Sequence, residues 1–145
     1  MLPTLGGRIQ TRVALLAVIG GLVTLIITPV LPLNAPLSDV YRDTFIILAA
    51  VAIIGIAWEC LYHLLMQFRW EKDWPTLFGL VTLVPEGALI WVLLQQRLLP
   101  GIVSTVTAPA FVIDFVLVWV AVWLWANGPM RVINIRWRFR GGRLA

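Results

Sequence analysis

Four long apolar stretches take up most of this 145-residue chain, and they constrain its fold more than any other feature. Each comes close to the roughly 20 residues that a helix needs to cross about 30 Å of hydrocarbon. The hydrophobic fraction of 61% and the mean hydropathy of +0.94 exceed what a soluble domain of this size could bury in one core. The stretches, residues 13–33, 44–66, 76–96 and 110–125, therefore predict an integral membrane protein.

The segments between these stretches are short, and none could fold as a separate domain. Short connections make consecutive helices antiparallel neighbours. Helices are expected because every backbone group in lipid must be satisfied within the protein. We therefore predict an all-α membrane protein of four antiparallel transmembrane helices. The bundle would cover residues 1–128, and a basic cytoplasmic tail would cover residues 129–145.

Positive charge indicates how the bundle is oriented. With four spans, the N-terminal segment, the second loop and the tail share one side of the membrane. Nine of the eleven Lys and Arg residues lie in these three segments: Arg8, Arg12, Arg69, Lys72, Arg131, Arg136, Arg138, Arg140 and Arg143. The other two loops hold only Arg42 and Arg97. Because positive loops stay in the cytoplasm, we expect a multi-pass protein of the plasma (inner) membrane with both termini cytoplasmic.

The tail alternates apolar and polar side chains over residues 132–140, which is the period-two pattern of an extended strand. We expect an extended segment at the cytoplasmic interface, with arginines on anionic lipid headgroups or on a partner protein. The arginines concerned are Arg136, Arg138, Arg140 and Arg143. Since the positive charges already serve topology, nucleic acid is not an expected partner.

Four ionisable residues lie well inside the apolar stretches: Glu59, His63, Glu86 and Asp114. Such residues are costly in a membrane and usually have a role. Glu59 and His63 are four apart, so they can share a proton or a hydrogen bond on one helical face. Asp114 is placed near enough to the outer surface to reach water.

Three interpretations of this polar set remain open. The acids could lock the bundle, by staying neutral or by pairing with His63 or with a partner's arginine. Glu59, His63 and Glu86 could instead form a proton or ion path. Glu59 and His63 could also supply half of a metal site, although no further His or Cys completes it, so no metal is expected.

Small residues recur at intervals of three and four along the first stretch. Ala17, Gly20, Gly21 and Thr24 would allow another helix to approach closely, either from this chain or from a partner subunit. In the third stretch, Pro85 removes one backbone hydrogen bond and crowds the carbonyl of Val81, which predicts a kink.

Enzyme signatures are absent from the sequence, which has no G-x-S-x-G elbow, no H-E-x-x-H pair and no phosphate-binding glycine loop. We expect no catalytic residues and no cofactor. The single Cys60 cannot form an intrachain disulfide, and it is expected to be a small buried hydrophobic residue of the second span.

Three basic and aromatic segments carry a resemblance to a known family. They are Leu-Gly-Gly-Arg-Ile-Gln-Thr-Arg at 5–12, Phe-Arg-Trp-Glu-Lys-Asp-Trp-Pro at 68–75, and Arg-Trp-Arg-Phe-Arg-Gly-Gly-Arg at 136–143. With them the chain resembles the LucB-like accessory subunits of the mycobacterial Mce lipid-import assembly, a family of small actinobacterial four-span membrane proteins. The resemblance implies a non-catalytic subunit that contacts the permease of an ATP-driven lipid importer. It implies no functional residues.

Overall fold

The computed structural model describes residues 4–71 and 75–144, apart from the side chain of Arg138. Over these residues every regular element is helical, and none is a strand. Lys72, which entered the predicted charge count, lies outside the described residues. The elements are α1 (Leu5–Leu15), a π-helical segment (Leu16–Gly20), α2 (Gly21–Ile27), a 3₁₀ turn (Thr28–Val30), α3 (Leu37–Gln67), α4 (Thr76–Val81), α5 (Leu83–Gln95), α6 (Ala108–Asn127), α7 (Pro129–Ile133) and α8 (Ile135–Phe139).

These elements form four helical spans that are each long and apolar enough to cross a membrane. Span one is Leu5–Val30, span two Leu37–Gln67, span three Thr76–Gln95 and span four Ala108–Ile133. The prediction of four such helices is confirmed. The thirty-one-residue second span is much longer than the predicted stretch, because its helix continues through polar residues at both ends. Cys60 of this span is exposed on the outer surface of the bundle, so its prediction as a buried residue is wrong.

Span one begins eight residues before the predicted apolar stretch. Thr4 caps the helix, since its hydroxyl accepts a hydrogen bond from the backbone N–H of Gly7 at 3.1 Å. Arg8 and Arg12 are therefore part of the first helix and do not belong to a loop in front of it. The hydropathy pattern could not show this, because two arginines among polar residues lower the local average.

Span three is interrupted where Pro85 predicts a kink. The α-helix breaks at Thr82, between α4 and α5, and Pro85 lies in the first turn of the second piece. A proline has no N–H to donate to the carbonyl four residues earlier, so the helix can start again most easily at this point. The interruption allows α4 and α5 to pack against different parts of the bundle.

Aromatic rings form the centre of the bundle. Centroid distances of 5.2 Å (Trp91 to Phe111), 5.4 Å (Phe111 to Phe115) and 5.5 Å (Phe115 to Trp119) define a continuous column along span four. Gly87 lets span three approach this column, since a Cβ at that position would lie 2.8 Å from the Phe115 ring. Leu16, Ile47, Val51, Ile90 and Val118 complete the core.

Asp43 anchors the connection between spans three and four. The carboxylate is fully buried and accepts hydrogen bonds from the backbone N–H of Val103 at 3.0 Å, from the N–H of Ser104 at 2.8 Å, and from the Ser104 hydroxyl. Asp43 and Thr44 do not cap the second helix, because that helix already begins at Leu37 after Pro36.

The tail is helical, so the predicted extended segment is wrong. Residues Pro129–Ile133 and Ile135–Phe139 form two short helices. The N–H of Asn134 donates to the carbonyl of Met130 at 3.0 Å, and the N–H of Trp137 donates to Asn134 at 3.1 Å. An extended segment needs a neighbouring strand for its hydrogen bonds, whereas these turns satisfy the backbone locally.

The end of the tail packs against the start of span one. Thr4 donates its N–H to the carbonyl of Gly141 at 2.9 Å, and the Thr11 hydroxyl donates to the carbonyl of Gly142 at 2.8 Å. The indole N–H of Trp137 donates to the same Thr11 hydroxyl, also at 2.8 Å. The first turns of span one and the last described residues of the tail therefore meet at one end of the bundle, called the termini end below.

Gly7 makes this contact possible, which leads to a first prediction. A Cβ at Gly7 would overlap the carbonyl oxygen of Gly141, and backbone atoms cannot move aside as a side chain can. Gly7→Ala should detach the tail at a cost of one or two hydrogen bonds, about 1 kcal/mol each. Trypsin cleavage after Arg140 and Arg143 should then be about tenfold faster in detergent.

Gly6→Ala is the matched control, since no atom lies within 4 Å of a Cβ at Gly6. It should be cleaved as slowly as the wild type. Equal cleavage rates for the Gly6→Ala and Gly7→Ala proteins would show that the tail does not depend on this close approach.

Candidate functional site

Arg12 connects three spans by ion pairs near the termini end. Its Nη1 lies 3.2 Å from Glu59 Oε1 on span two and 3.2 Å from Glu86 Oε1 on span three. Its Nη2 also pairs with the second oxygen of Glu86. The Arg12 side chain is 10% exposed and that of Glu86 is 3% exposed, so these charges are removed from solvent.

Span four and the backbone of span two enclose the same guanidinium. Its Cζ lies 5.4 Å from the centre of the Trp119 ring, within the range of a cation–π interaction. On span two, a Cβ at Gly55 would overlap the Arg12 Nε and crowd the Cζ. Arg12, which belongs to span one, therefore contacts each of the other three spans. Glycine at position 55 leaves the space that this arrangement needs.

Two further residues complete this ion-pair network of Arg8, Arg12, Glu59, Tyr62 and Glu86. Arg8 Nε lies 2.7 Å from Glu59 Oε2, and the Tyr62 hydroxyl donates to Glu86 Oε1 at 3.0 Å. The two arginines balance the two glutamates, so the network carries no net charge. Each glutamate binds both a cation and a second donor, which is the arrangement that makes buried charges tolerable.

The network makes the bundle depend on every one of its members. Removing one partner of a buried ion pair leaves an uncompensated charge and costs about 3–5 kcal/mol. Inside a membrane, an unpaired arginine or glutamate would also be costly because its charge would lie in hydrocarbon. The arrangement therefore stabilises one packing of the four spans and opposes their separation.

The predicted contact between Glu59 and His63 is wrong. The His63 Nε2 lies 3.3 Å from the Gln67 amide nitrogen, while both oxygens of Glu59 bind arginines. Arginine is preferred because it carries a permanent charge and several donors in one plane. Of the three residues proposed for a proton or ion path, Glu59 and Glu86 are brought together by Arg12, and His63 is not.

Asp114 is also placed differently from the prediction. It was expected near water, but it is 6% exposed, and its Oδ1 has no hydrogen-bond partner among the described residues. It lies beside Phe115 and faces the hydrophobic core, away from the ion-pair network. Asp43 and Val106 line the same small cavity as Asp114, so the connection before span four reaches this position, which sequence spacing alone cannot show.

The small residues of span one divide between two faces of the helix. Thr24 is fully buried and Gly20 packs against Leu48 and Val118, so these two positions allow close contact within this chain. Ala17 is exposed, and a Cβ at Gly21 would have no neighbour within 4 Å. Ala17 and Gly21 therefore lie on the outer surface of the bundle.

The basic residues of the tail lie mostly on the surface. Arg136, Arg140 and Arg143 are exposed, and Arg131 donates to the Asn127 side chain at 2.8 Å. The side chain of Arg138 lies outside the described residues. Their contact with lipid headgroups or with a partner protein stays a prediction.

The sequence analysis missed Arg8 and Arg12 as members of the site. Both were counted as loop charges that set topology, while the acids were paired with His63 or with a partner. Their spacing contains a usable signal, since arginines four apart share one face of a helix. The signal becomes visible only once the helix is known to begin at Leu5.

A cavity of about 280 Å³ lies between the ion-pair network and the tail. Arg8, Arg12, Glu59 and Tyr62 line one side, and Trp137 and Gly142 of the tail line another. Apolar side chains of spans one and four form much of the remaining wall: Leu15, Leu16, Trp119, Val122, Trp123 and Ala126.

Searches with this chain against protein-family models, curated proteins and solved structures returned no match. The assignment of a function therefore depends on the residues and the geometry described above.

The space beside Gly55 supports a second prediction. Gly55→Ala would place a methyl group where the Arg12 guanidinium lies, so the arginine must withdraw from Glu59 or Glu86. We expect a loss of about 3 kcal/mol or more, measured as a lower thermal unfolding midpoint in mild detergent. Alanine is otherwise the better helix former, so helix propensity opposes this effect.

Gly21→Ala is the matched control, because it makes the same substitution on a helix face with open space. It should unfold at or slightly above the wild-type temperature. If both variants unfolded at the same temperature, the Arg12 contacts would not be what holds the spans together.

Proposed function

We propose that this chain is a non-enzymatic accessory subunit of a multi-subunit membrane transporter. The observation that carries the proposal is the ion-pair network, in which the acids of spans two and three are bound to arginines of span one. Charges that neutralise each other in this way favour a stable bundle over one that moves protons or solutes. A stable bundle is suited to holding or positioning other membrane subunits.

The orientation is part of this proposal. We place the chain in the plasma membrane as four antiparallel spans with both termini in the cytoplasm. Contacts at two levels support antiparallel spans one and two, since Arg12 pairs with Glu59 while the hydroxyls of Thr28 and Thr44 lie 3.1 Å apart. The excess of Lys and Arg at the termini end supports the cytoplasmic assignment.

The transported substrate is proposed from the resemblance to the LucB-like subunits. It favours an ATP-driven lipid importer for fatty acids or sterols, with the permease as the partner that this chain contacts. The exposed arginines of the tail are suited to anionic headgroups or to an acidic surface of such a partner. The outward face with Ala17 and Gly21 would allow a partner helix to approach closely.

An alternative is a small proton- or ion-conducting protein that uses Glu59, His63 and Glu86. It is less well supported, because His63 hydrogen-bonds Gln67 and both glutamates are bound by arginine. A current across liposomes containing the purified chain, abolished by Glu86→Gln, would favour this alternative over the accessory role.

Cysteine labelling in intact cells tests the orientation. In a Cys60→Ser background, a cysteine at Ser38 should react with a membrane-impermeant maleimide, because the loop before span two is placed outside. A cysteine at Glu71, an exposed residue of the opposite loop, should react only after the cells are opened. The reverse pattern would contradict the proposed topology.

Affinity purification in mild detergent tests the accessory role. The tagged chain should recover a permease, its ATPase and lipid-binding chains in fixed stoichiometry. Gly55→Ala should reduce that recovery, and Gly6→Ala, at an exposed position with open space, should leave it at the wild-type level. Recovery of the chain alone, as a monomer or homo-oligomer, would contradict the proposal.

A further inference from the structure

Most polar groups in the walls of the cavity at the termini end already have hydrogen-bond partners. The Trp119 indole donates to the carbonyl of Gly79 at 3.1 Å, and the Trp123 indole to that of Thr76 at 3.0 Å. The Thr82 hydroxyl also donates to Gly79, at 3.0 Å. A guest would therefore find few donors to bind and would contact mainly the faces of rings and aliphatic groups.

The charged wall of the cavity leads to the same conclusion. The Tyr62 hydroxyl donates to Glu86. The Arg12 Nε has no hydrogen-bond partner among the described residues, but it is buried against Gly55 of span two and is not accessible to a guest. Both carboxylates are bound by arginine. The wall has no net charge to offer, so electrostatics favours neither an anion nor a cation inside the cavity.

We propose that this cavity binds the single hydrocarbon chain of an amphiphile, whose polar head remains outside it. The proposed accessory role does not require any particular ligand in the cavity. An experiment can therefore contradict the ligand proposal without contradicting the accessory role, and the reverse. An apolar guest suits a site whose lining is mostly hydrocarbon and indole. A polar guest would lose hydrogen bonds to water without replacing them.

The volume limits the length of the chain. A cavity of roughly 150 Å³ is enough to bind benzene, and this one measures about 280 Å³. It therefore has room for on the order of twelve carbon atoms. A single short chain, or the end of a longer one, fits that space, whereas both chains of a membrane lipid together do not.

The residues around the opening of the cavity indicate where the polar head of the amphiphile would lie. The cavity is partly open and lies at the end of the bundle that carries the basic tail. The exposed arginines of that tail and the indole of Trp137 belong to the zone where headgroups meet water. A chain that enters from this zone leaves its head at the interface.

Photolabelling in phosphatidylcholine nanodiscs tests this assignment. One arm uses dodecanoic acid with a terminal diazirine, and the other uses a two-chain phosphatidylcholine with the diazirine at one chain end. Labelled residues are mapped by mass spectrometry. We expect label on Leu16, Val122 and Ala126, and unlabelled dodecanoic acid should reduce it. Label from the phospholipid arm alone would identify the bilayer as the source of the chain and still support the site.

Variants that fill the cavity provide the control. Ala126→Trp should lower the labelling of Leu16 about tenfold, because the indole takes the space of the chain. Val122→Phe is a milder second variant if Ala126→Trp fails to fold, as judged by gel filtration and thermal unfolding. Val112→Trp, at an exposed position of the same span, should leave the labelling unchanged.

Two results would overturn the proposal. The first is label that falls equally on cavity residues and on exposed positions such as Val112 in both arms. The second is cavity labelling that persists unchanged in folded Ala126→Trp and Val122→Phe proteins.

Discussion

The burial of Arg12 is the constraint on which the rest of this structure depends. A guanidinium in the interior of an apolar bundle must have its charge neutralised and its donors bound. Glu59 neutralises it from span two and Glu86 from span three, while Trp119 covers it from span four. Because apolar burial gives little drive for helix association inside lipid, such polar contacts and close packing have to specify how the spans meet.

Other local features follow from that contact. Gly55 leaves space for the guanidinium, and Tyr62 satisfies a Glu86 oxygen that would otherwise lack a donor on that side. The helix of span one starts early enough to include Arg8, which binds the other oxygen of Glu59. Because both glutamates are bound by arginine, the role proposed for this chain is a stabilising one and not a conducting one.

At the termini end, the tail forms a second set of contacts in addition to the ion-pair network. The tail returns to the first turn of span one through Gly7, Thr11 and Trp137, and it closes one side of a cavity whose far side is the ion-pair network. The network stabilises the bundle, and its members Arg8, Arg12 and Glu59 form one wall of the cavity with their charges paired to each other. Under the two proposals, a rigid bundle within a larger assembly would hold a hydrocarbon chain at the membrane surface.

The sequence by itself determined the four helical spans, the interruption near Pro85 and the concentration of positive charge at one end, since these depend on local hydropathy, backbone chemistry and counts of charge. It also identified Glu59 and Glu86 as buried groups that need a partner. Only the tertiary structure decided which partner they have. Arg12 pairs with Glu59 and Glu86, which follow it in the sequence by 47 and 74 positions. This pairing depends on how the helices are rotated and packed, which no local sequence pattern shows. The tertiary structure was also needed to show that the tail is helical. Its period-two pattern predicts a strand, but no strand among the described residues is there to pair with it.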